Sequence, residues 1–414
     1  MESPLLWILL AVLAVGIGIG VFFVVRKHRY VKAIRAKGWT WVESPGIAII
    51  VGLNVPPFGL GFSRSVDDQV LGASQGGTGF QAFRYRSQFF RSDGYVLTMR
   101  LPRSLPEFYL FEQSSPREAI TGQVVNPGPL QAVAPDPDFG RTVFSAVAGA
   151  TSRPPTDADG KPMRVDLSID HDQLVMLHVP RDVDELATAV EWLAGVHAAI
   201  VASPAVQFSG PPAPQHLSFH GLPHWSYVPR DDSMLGLVNH TRGGRNHRAE
   251  DIVTSSNFGL PFIRLTHHWE TTHTSTDSKG NTTTRTEHHS EVICEFQTTF
   301  GFHEISFNWG LFGKKLSFES TAFNDAFKVR SPSARFAHDV VHPRQMEYFL
   351  RARPVPFSIE GNGRILVERR DWNPQELAWF SDFLRGFFAR VPDFTWKELG
   401  AWPRPITEVE DYNR

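Results

Sequence analysis

Five histidines crowd the stretch THHWETTHTSTDSKGNTTTRTEHHSE, residues 266–291: His267, His268, His273, His288 and His289, with Glu270, Glu287 and Glu291 among them. Imidazole and carboxylate are ligands of divalent metals, and histidine is the side chain that titrates near neutrality. The flanking Thr and Trp favour strands, and DSKGN, residues 277–281, is a turn signal, so the stretch reads as a long hairpin. With Lys279 and Gly280 at the centre of the turn, His268 faces Glu291 and Glu270 faces His289. Alternation then places all four on one side of the ladder. In that register His268, Glu270, His289 and Glu291 are a candidate metal site, with zinc the natural ion, or a pH-sensitive His–Glu patch. A slip of one residue breaks the set and presents His267, His273 and His288 instead. The third reading is a polar, Thr-rich extension that covers an edge or meets a partner.

Other stretches offer less. NHTRGGRNHRAED, residues 239–251, gathers Arg242, Arg245, Arg248, His240 and His247 and could take a phosphate or lipid headgroup. The acidic residues that follow at once favour a solvated loop. DADGK, residues 157–161, begins like a calcium loop, but Ser168 stands where the bidentate Glu belongs. GASQGGTGF, residues 72–80, lacks the Lys-Ser/Thr of a phosphate loop. Cys294 lies in an apolar, strand-like run where a thiol is inert. Within residues 72–80, Gly72-Ala73-Ser74-Gln75-Gly76 fits G-x-S-x-G in letters, but no helix opens after it as a nucleophile elbow needs, and no paired-acid constellation is present, so no reaction is identified. An enzyme whose site assembles from distant residues is the alternative.

The elements that must carry these residues begin with the N-terminus. The chain has 414 residues, a net charge of −2 and 20% charged residues, so no global field draws it to nucleic acid. Its single cysteine excludes an internal disulfide and suits a reducing compartment. Residues 5–25, LLWILLAVLAVGIGIGVFFVV, carry no charge, and about 20 such residues span a bilayer as a helix. Arg26, Lys27, Arg29, Lys32, Arg35 and Lys37 follow as a basic flank. Such flanks stay in the cytoplasm and meet anionic lipid. Residues 1–37 therefore read as a single-pass anchor with a basic juxtamembrane segment, and the bulk of the chain as cytoplasmic at the cell membrane. The small residues of GIGIG would let two such helices approach as a homodimer.

Behind that segment one pattern occurs twice. SIDHDQLVMLHVPRDVDELATAVEWLAGVHAAIVA, from Ser168, resembles SIEGNGRILVERRDWNPQELAWFSDFLRGFFARVP, from Ser358. Each has Ser-Ile-acidic, an apolar strand, then Glu-Leu-Ala opening an amphipathic helix. Trp39-Thr40-Trp41-Val42 likewise resembles Trp225-Ser226-Tyr227-Val228. These matches predict two related units in tandem, 38–202 and 222–400. A Pro-rich linker, 203–221, joins them, and 401–414 is a tail. Alternating segments followed by an apolar helical stripe give an α+β class: in each unit an antiparallel sheet with a closing C-terminal helix.

Within FESTAFNDAFKVRSPSARFAHDVVHPRQMEYFL, residues 318–350, several positions carry a family pattern. They are Phe318-Glu319-Ser320, Phe323-Asn324, Phe327, Val329, Ala337, Val340, Pro343, Met346-Glu347 and Leu350. Their spacing resembles a family of bacterial membrane-anchored proteins of unknown function. The first unit departs from it, lacking the Pro-x-x-Met-Glu element. The resemblance implies a soluble module behind an apolar N-terminal segment and carries no catalytic residue across.

The expected function is a non-enzymatic, membrane-anchored cytoplasmic interaction or scaffold protein. It would be an accessory of a membrane or cell-envelope assembly, with the bilayer and a membrane protein as partners and no nucleic acid. The alternative is a metal- or pH-responsive sensor using the His268, Glu270, His289 and Glu291 hairpin set.

Overall fold

The computed structural model describes residues 4–406 except 93, 115–118, 256–259, 277–281, 309–314 and 369–371. The side chains of 4–17, 19 and 20 also lie outside that description. The chain divides into two compact units, Met1–His220 and Gly221–Arg414.

In the first unit, helix α1 (Pro4–Ala36) leads into strands β1 (Thr40–Val42), β2 (Ser65–Ala73), β3 (Gly79–Arg86), β4 (Tyr95–Arg100), β5 (Phe108–Glu112), β6 (Gln123–Asn126) and β7 (Leu130–Ala134). Helix α2 (Pro137–Thr151), strands β8 (Asp166–Asp170) and β9 (Gln173–Val179), and helix α3 (Val183–Val201) complete it. The strands form one antiparallel sheet in the order β1-β2-β3-β4-β9-β8-β5-β7-β6. Asp182 caps α3 by accepting from the amides of Asp184 and Glu185, the usual service of an Asp at that position. The helix then buries Leu186, Val190, Leu193, Val196 and Ile200 in the core shared with Leu97, Leu174 and Met176.

The second unit repeats the plan. Its strands are β10 (Ser226–Arg230), β11 (Arg245–Ser255), β12 (Phe262–Thr276), β13 (Thr282–Gln297), β14 (Ile305–Phe307), β15 (Lys315–Leu316), β16 (Val329–Arg330), β17 (Phe357–Ile359) and β18 (Arg364–Val367). Short helices α4 (Thr321–Ala326), α5 (Ala334–Val340) and α6 (Pro343–Ala352) precede β17, and α7 (Pro374–Ala389) and α8 (Asp393–Glu398) close the unit. The sheet order is β10-β11-β12-β13-β18-β17-β14-β16-β15, so each strand holds the place of the strand nine before it. Trp39 meets Phe80 edge-on at 4.9 Å in the first sheet, and Trp225 meets Phe262 at 4.9 Å in the second. A capping box between Asn373 and Glu376, with Pro374 at the first helical position, starts α7. Its buried Phe380, Phe383 and Phe387 pack on Phe349 and Phe357 with ring centroids 5–6 Å apart. Each fully buried Phe stabilises by roughly 1.5–3 kcal/mol.

The N-terminal expectation requires correction. Among the described residues no helix is long and apolar enough to cross a membrane, so the spanning helix expected over 5–25 is not part of the described fold. The side chains of most of 5–20 fall outside the description. The C-terminal part of α1 packs on its own unit instead. Ile34 is fully buried, and the Tyr30 and Tyr95 hydroxyls are hydrogen-bonded. Arg26, Lys27, Arg29, Lys32, Arg35 and Lys37 are all exposed, but Lys27 pairs with Glu43 and Lys37 with Asp184 at 2.8 Å.

The stretch read as a linker lies largely against the first unit. Ala205 and Phe219 are buried, the Gly210 amide donates to the Ser104 carbonyl, and the His220 amide donates to the Gly59 carbonyl.

Candidate metal centre

The β12–β13 ladder runs without a break from Phe262↔Phe296 to Thr276↔Thr282. The turn residues 277–281 lie outside the described residues, but the ladder fixes the register. It differs by one residue from the register centred on Lys279 and Gly280: His267 faces Glu291, His268 faces Ser290, Trp269 faces His289 and Glu270 faces His288. Because side chains alternate, that step puts His268 and Glu270 on one face and His289 and Glu291 on the other. The four-residue set therefore does not assemble. His268 Nε2 lies 3.5 Å from Glu250, and Glu270 lies 3.4 Å from His288 Nδ1. His289 Nε2 meets the Thr271 hydroxyl at 2.7 Å, and Glu291 pairs with His267 and Arg242.

A different histidine set comes together on the Glu291 face. His267 supplies the buried member, with no exposed surface. His247 comes from β11, where the pairing shifts between Arg245↔Glu270 and Arg248↔His268 and Asn246 adopts φ of 55°. An extra residue in one strand re-aims the side chains around it, and here the His247 and His267 rings stack at 5.1 Å and 18°. His240 comes from the loop before β11, its ring 4.6 Å from that of His267. Gly244 lets this loop approach. At φ of 133°, a Cβ there would meet the Glu270 carbonyl oxygen at 2.5 Å and Trp269 Cδ1 at 3.0 Å.

One ring nitrogen from each of His240, His247 and His267 lies within 4.8 Å of the other two, the set among the described residues with the reach to hold a metal ion. His267 Nδ1 is 3.1 Å from Glu291 Oε1, and His267 Nε2 is 2.8 Å from His247 Nδ1. This pattern assigns the His267 proton to Nδ1, donated to the carboxylate, and leaves the Nε2 lone pair facing the other two rings. Glu291 Oε2 accepts from Arg242 Nε at 2.9 Å. His240 Nδ1 is buried with no hydrogen-bond partner. Trp269 stacks on His267 at 4.9 Å and on His289 at 5.2 Å, walling the cluster along the hairpin.

The electrostatics favour neutral rings. Burial holds His267 below the usual histidine range, and the neighbouring His240 and His247 add to that against the opposing pull of Glu291. Burial alone would raise Glu291, yet the hydrogen bonds from His267 and Arg242 hold it below the usual carboxylate range. A neutral imidazole is the ligand form, and a carboxylate behind the ligating histidine fixes its tautomer and raises its basicity. Three nitrogens at about 2.0–2.1 Å from a tetrahedral zinc stand roughly 3.3 Å apart. The His247–His267 contact, at 2.8 Å, is shorter than that spacing, and the three ligand atoms all lie within 4.8 Å of one another.

The first unit fills the same place differently. Five residues beyond Phe262 is His267; five beyond the equivalent Phe80 is Tyr85, fully buried with its ring 4.9 Å from Phe58. The fold therefore does not require histidines there. By sequence, His240 and His247 belong to a basic loop and His267 to the set that a register slip presents. Nothing in the spacing joined them, because the loop and the hairpin meet only through β11–β12 pairing.

The other motifs are structural. Asp157 Oδ1 accepts from the amides of Asp159 and Lys161 within its own turn, and burial drives the Cys294 thiol far above its ordinary range.

No protein-family model matches the chain, including any for the family resembled by residues 318–350, and no curated protein matches it. Among solved structures it is similar to the mycobacterial trehalose monomycolate transport factor A, TtfA, at 11% identity and a TM-score of 0.33. The match covers 45% of this chain and 97% of that one. A likeness that loose carries no argument about function.

Proposed function

We propose that the second unit is a metal-binding module that holds one divalent transition-metal ion, zinc by its ligand chemistry, on His240, His247 and His267. The observation that carries this reading is the mutual reach of the three histidines, with Glu291 hydrogen-bonded behind the buried one. Three imidazoles leave a tetrahedral ion one position for water or another ligand. The aromatic tyrosine–phenylalanine packing at the equivalent place in the first unit supports a role beyond folding, since an apolar cluster fits the same sheet. On this reading the protein is metal-responsive, with the ion tying the 239–244 loop to the base of the β12–β13 hairpin.

The test is a competition titration of the chelator-stripped full-length chain against a chromophoric zinc chelator. One equivalent of zinc per chain is expected, lost in the His240→Ala, His247→Ala, His267→Ala triple variant. It is retained when His268, His288 and His289 are replaced together. No uptake by the stripped chain, or equal uptake by the triple variant, overturns the reading.

A further inference from the structure

The same hairpin carries a second feature that the metal reading leaves unused. β11 accompanies β12 only as far as Arg245↔Glu270. Beyond it, 271–276 and 282–287 continue as a ribbon of two strands, exposed on both faces over Thr272–Thr276 and Thr282–Thr286. On its other side β13 pairs with β18 only at Glu295, Phe296 and Gln297. Thr282–Cys294 thus present an edge with no neighbouring strand among the described residues. A two-stranded ribbon is marginal in water, and three or more strands are needed for independent stability. An edge of this length is a template for another strand.

The sequence of the edge says which strand. It carries Arg285, Glu287, His288, His289 and Glu291, and such charges repel an arbitrary apolar strand. Against a second copy of itself they are complementary. Pairing Thr282–Cys294 antiparallel with its own copy, end to end, puts the two-fold axis at His288. That register sets Arg285 opposite Glu291 and Glu287 opposite His289, each twice, all on one face. Thr284 then faces Val292 and Thr286 faces Ser290. The register that pairs Thr282–Cys294 in full is therefore also the one that matches its charges, as an isologous contact requires.

We propose that β13 is the contact edge of a two-fold homodimer, joining two copies of the second unit into a continuous sheet about His288. The contact uses none of His240, His247 and His267, but it faces Glu291, the carboxylate behind His267, so dimerisation and zinc uptake are measured separately in each variant.

The experiment is oxidative crosslinking of single-cysteine variants of the full-length chain in a Cys294→Ala background, with sedimentation equilibrium. Residues opposite one another across antiparallel strands have Cα atoms about 4.5–5.5 Å apart, within disulfide reach. His288→Cys, at an exposed position, is expected to crosslink to its own copy. Thr284→Cys alone is not, but it is expected to crosslink when mixed with Val292→Cys. Glu287→Arg, which sets cation against His289, is expected to weaken dimerisation about tenfold or more while zinc uptake is unchanged. A chain that sediments as a monomer at every concentration overturns the proposal. So does a dimer in which positions 284 and 288 crosslink alike, since it forms through another surface. A monomeric chain whose β13 pairs with a different protein overturns it as well.

Discussion

Replacing Glu291 by Gln keeps the shape and the acceptor behind His267 and removes only the charge. The His267 Nδ1–H to Glu291 bond is 3.1 Å long, and the carboxylate is shared with Arg242 at 2.9 Å. A hydrogen bond to a charged group stabilises by about 1.5–3 kcal/mol net, a neutral one by about 0.5–1.5 kcal/mol. The difference, about 1–1.5 kcal/mol, is a factor of roughly 5–12 in affinity. Orienting carboxylates behind metal-bound histidines are typically worth about 10–100-fold. The low end applies here because the Glu291 side chain is 23% exposed and already compensated by Arg242. The expected result is a zinc dissociation constant about tenfold weaker in Glu291→Gln, read by chelator competition. The fluorescence of Trp269, stacked on His267, gives a second readout from the same titration. Wild-type affinity in the variant would refute the orienting role. A loss of about a thousandfold or more would refute it in the other direction, because that is the effect of removing a ligand rather than its support.

The other expectations concern the frame around the site and the first unit. Gly244→Ala forces a side chain into a backbone region that costs about 1–3 kcal/mol and into the Glu270 carbonyl. It should lower the urea midpoint of the second unit and weaken zinc uptake together; a stable variant with weakened uptake would show that the loop moves independently. Phe349→Ala removes a fully buried ring packed on Phe307, Phe357, Phe383 and Phe387. It should cost about 3–5 kcal/mol in denaturant unfolding. In the first unit, burial pulls the His171 pKa down, but its 2.7 Å bond to Asp170 outweighs that and the pKa is raised. A raised histidine pKa stabilises fully below the unfolded value near 6.5 and less as pH climbs through the folded value. The amides of Asn54 and Val55, which donate to Asp170, should therefore lose hydrogen-exchange protection as pH rises through the raised folded value, after correction for intrinsic rates. His171→Asn, which tolerates the φ of 58°, should flatten that dependence; an unchanged profile would remove His171 from it.

Much of the fold's local character is legible in the chain. Leu186, Val190, Leu193, His197 and Ile200 share a helical face by spacing; the four aliphatic residues are buried to 1% exposure or less, and His197 is half-buried. Ser168-Ile169 and Ser358-Ile359 sit at matching register positions, opposite Val175-Leu174 and Leu366-Ile365. The sheet order is not legible, because β4 pairs with β9 across more than seventy residues that include β5 to β8, and periodicity reports the face of a strand but not its neighbour. The apolar N-terminal run misled for a related reason: hydropathy measures a segment alone, while Tyr30 and Ile34 spend the end of the same helix on the first unit's core. The hairpin failed on a single residue. Period-two alternation makes any register error complete, so His268 and Glu270 lie on the opposite face of the sheet from His289 and Glu291.

Two copies of one sheet plan also separate what the architecture demands from what one unit adds. Each sheet carries an irregularity at the same place in its second strand, between Asp67 and Val70 and between Glu250 and Val253. In each, an aspartate at positive φ, Asp68 or Asp251, accepts from an aromatic side chain of the first strand, Trp41 at 2.8 Å or Tyr227 at 2.6 Å. Different aromatics perform the same task there, which marks the device as part of the sheet's own construction. At the His267 position the two units diverge in kind: a phenol packed on a phenylalanine in one, three imidazoles and a carboxylate in the other. Stacked histidines bury poorly unless their nitrogens are satisfied, and His240 Nδ1 has no protein partner. One place in the sheet is filled by a tyrosine–phenylalanine pair in one unit and by histidines in the other, so the sheet itself does not require the histidines. On the proposed metal reading, an ion held by His240, His247 and His267 supplies what the sheet alone does not ask for.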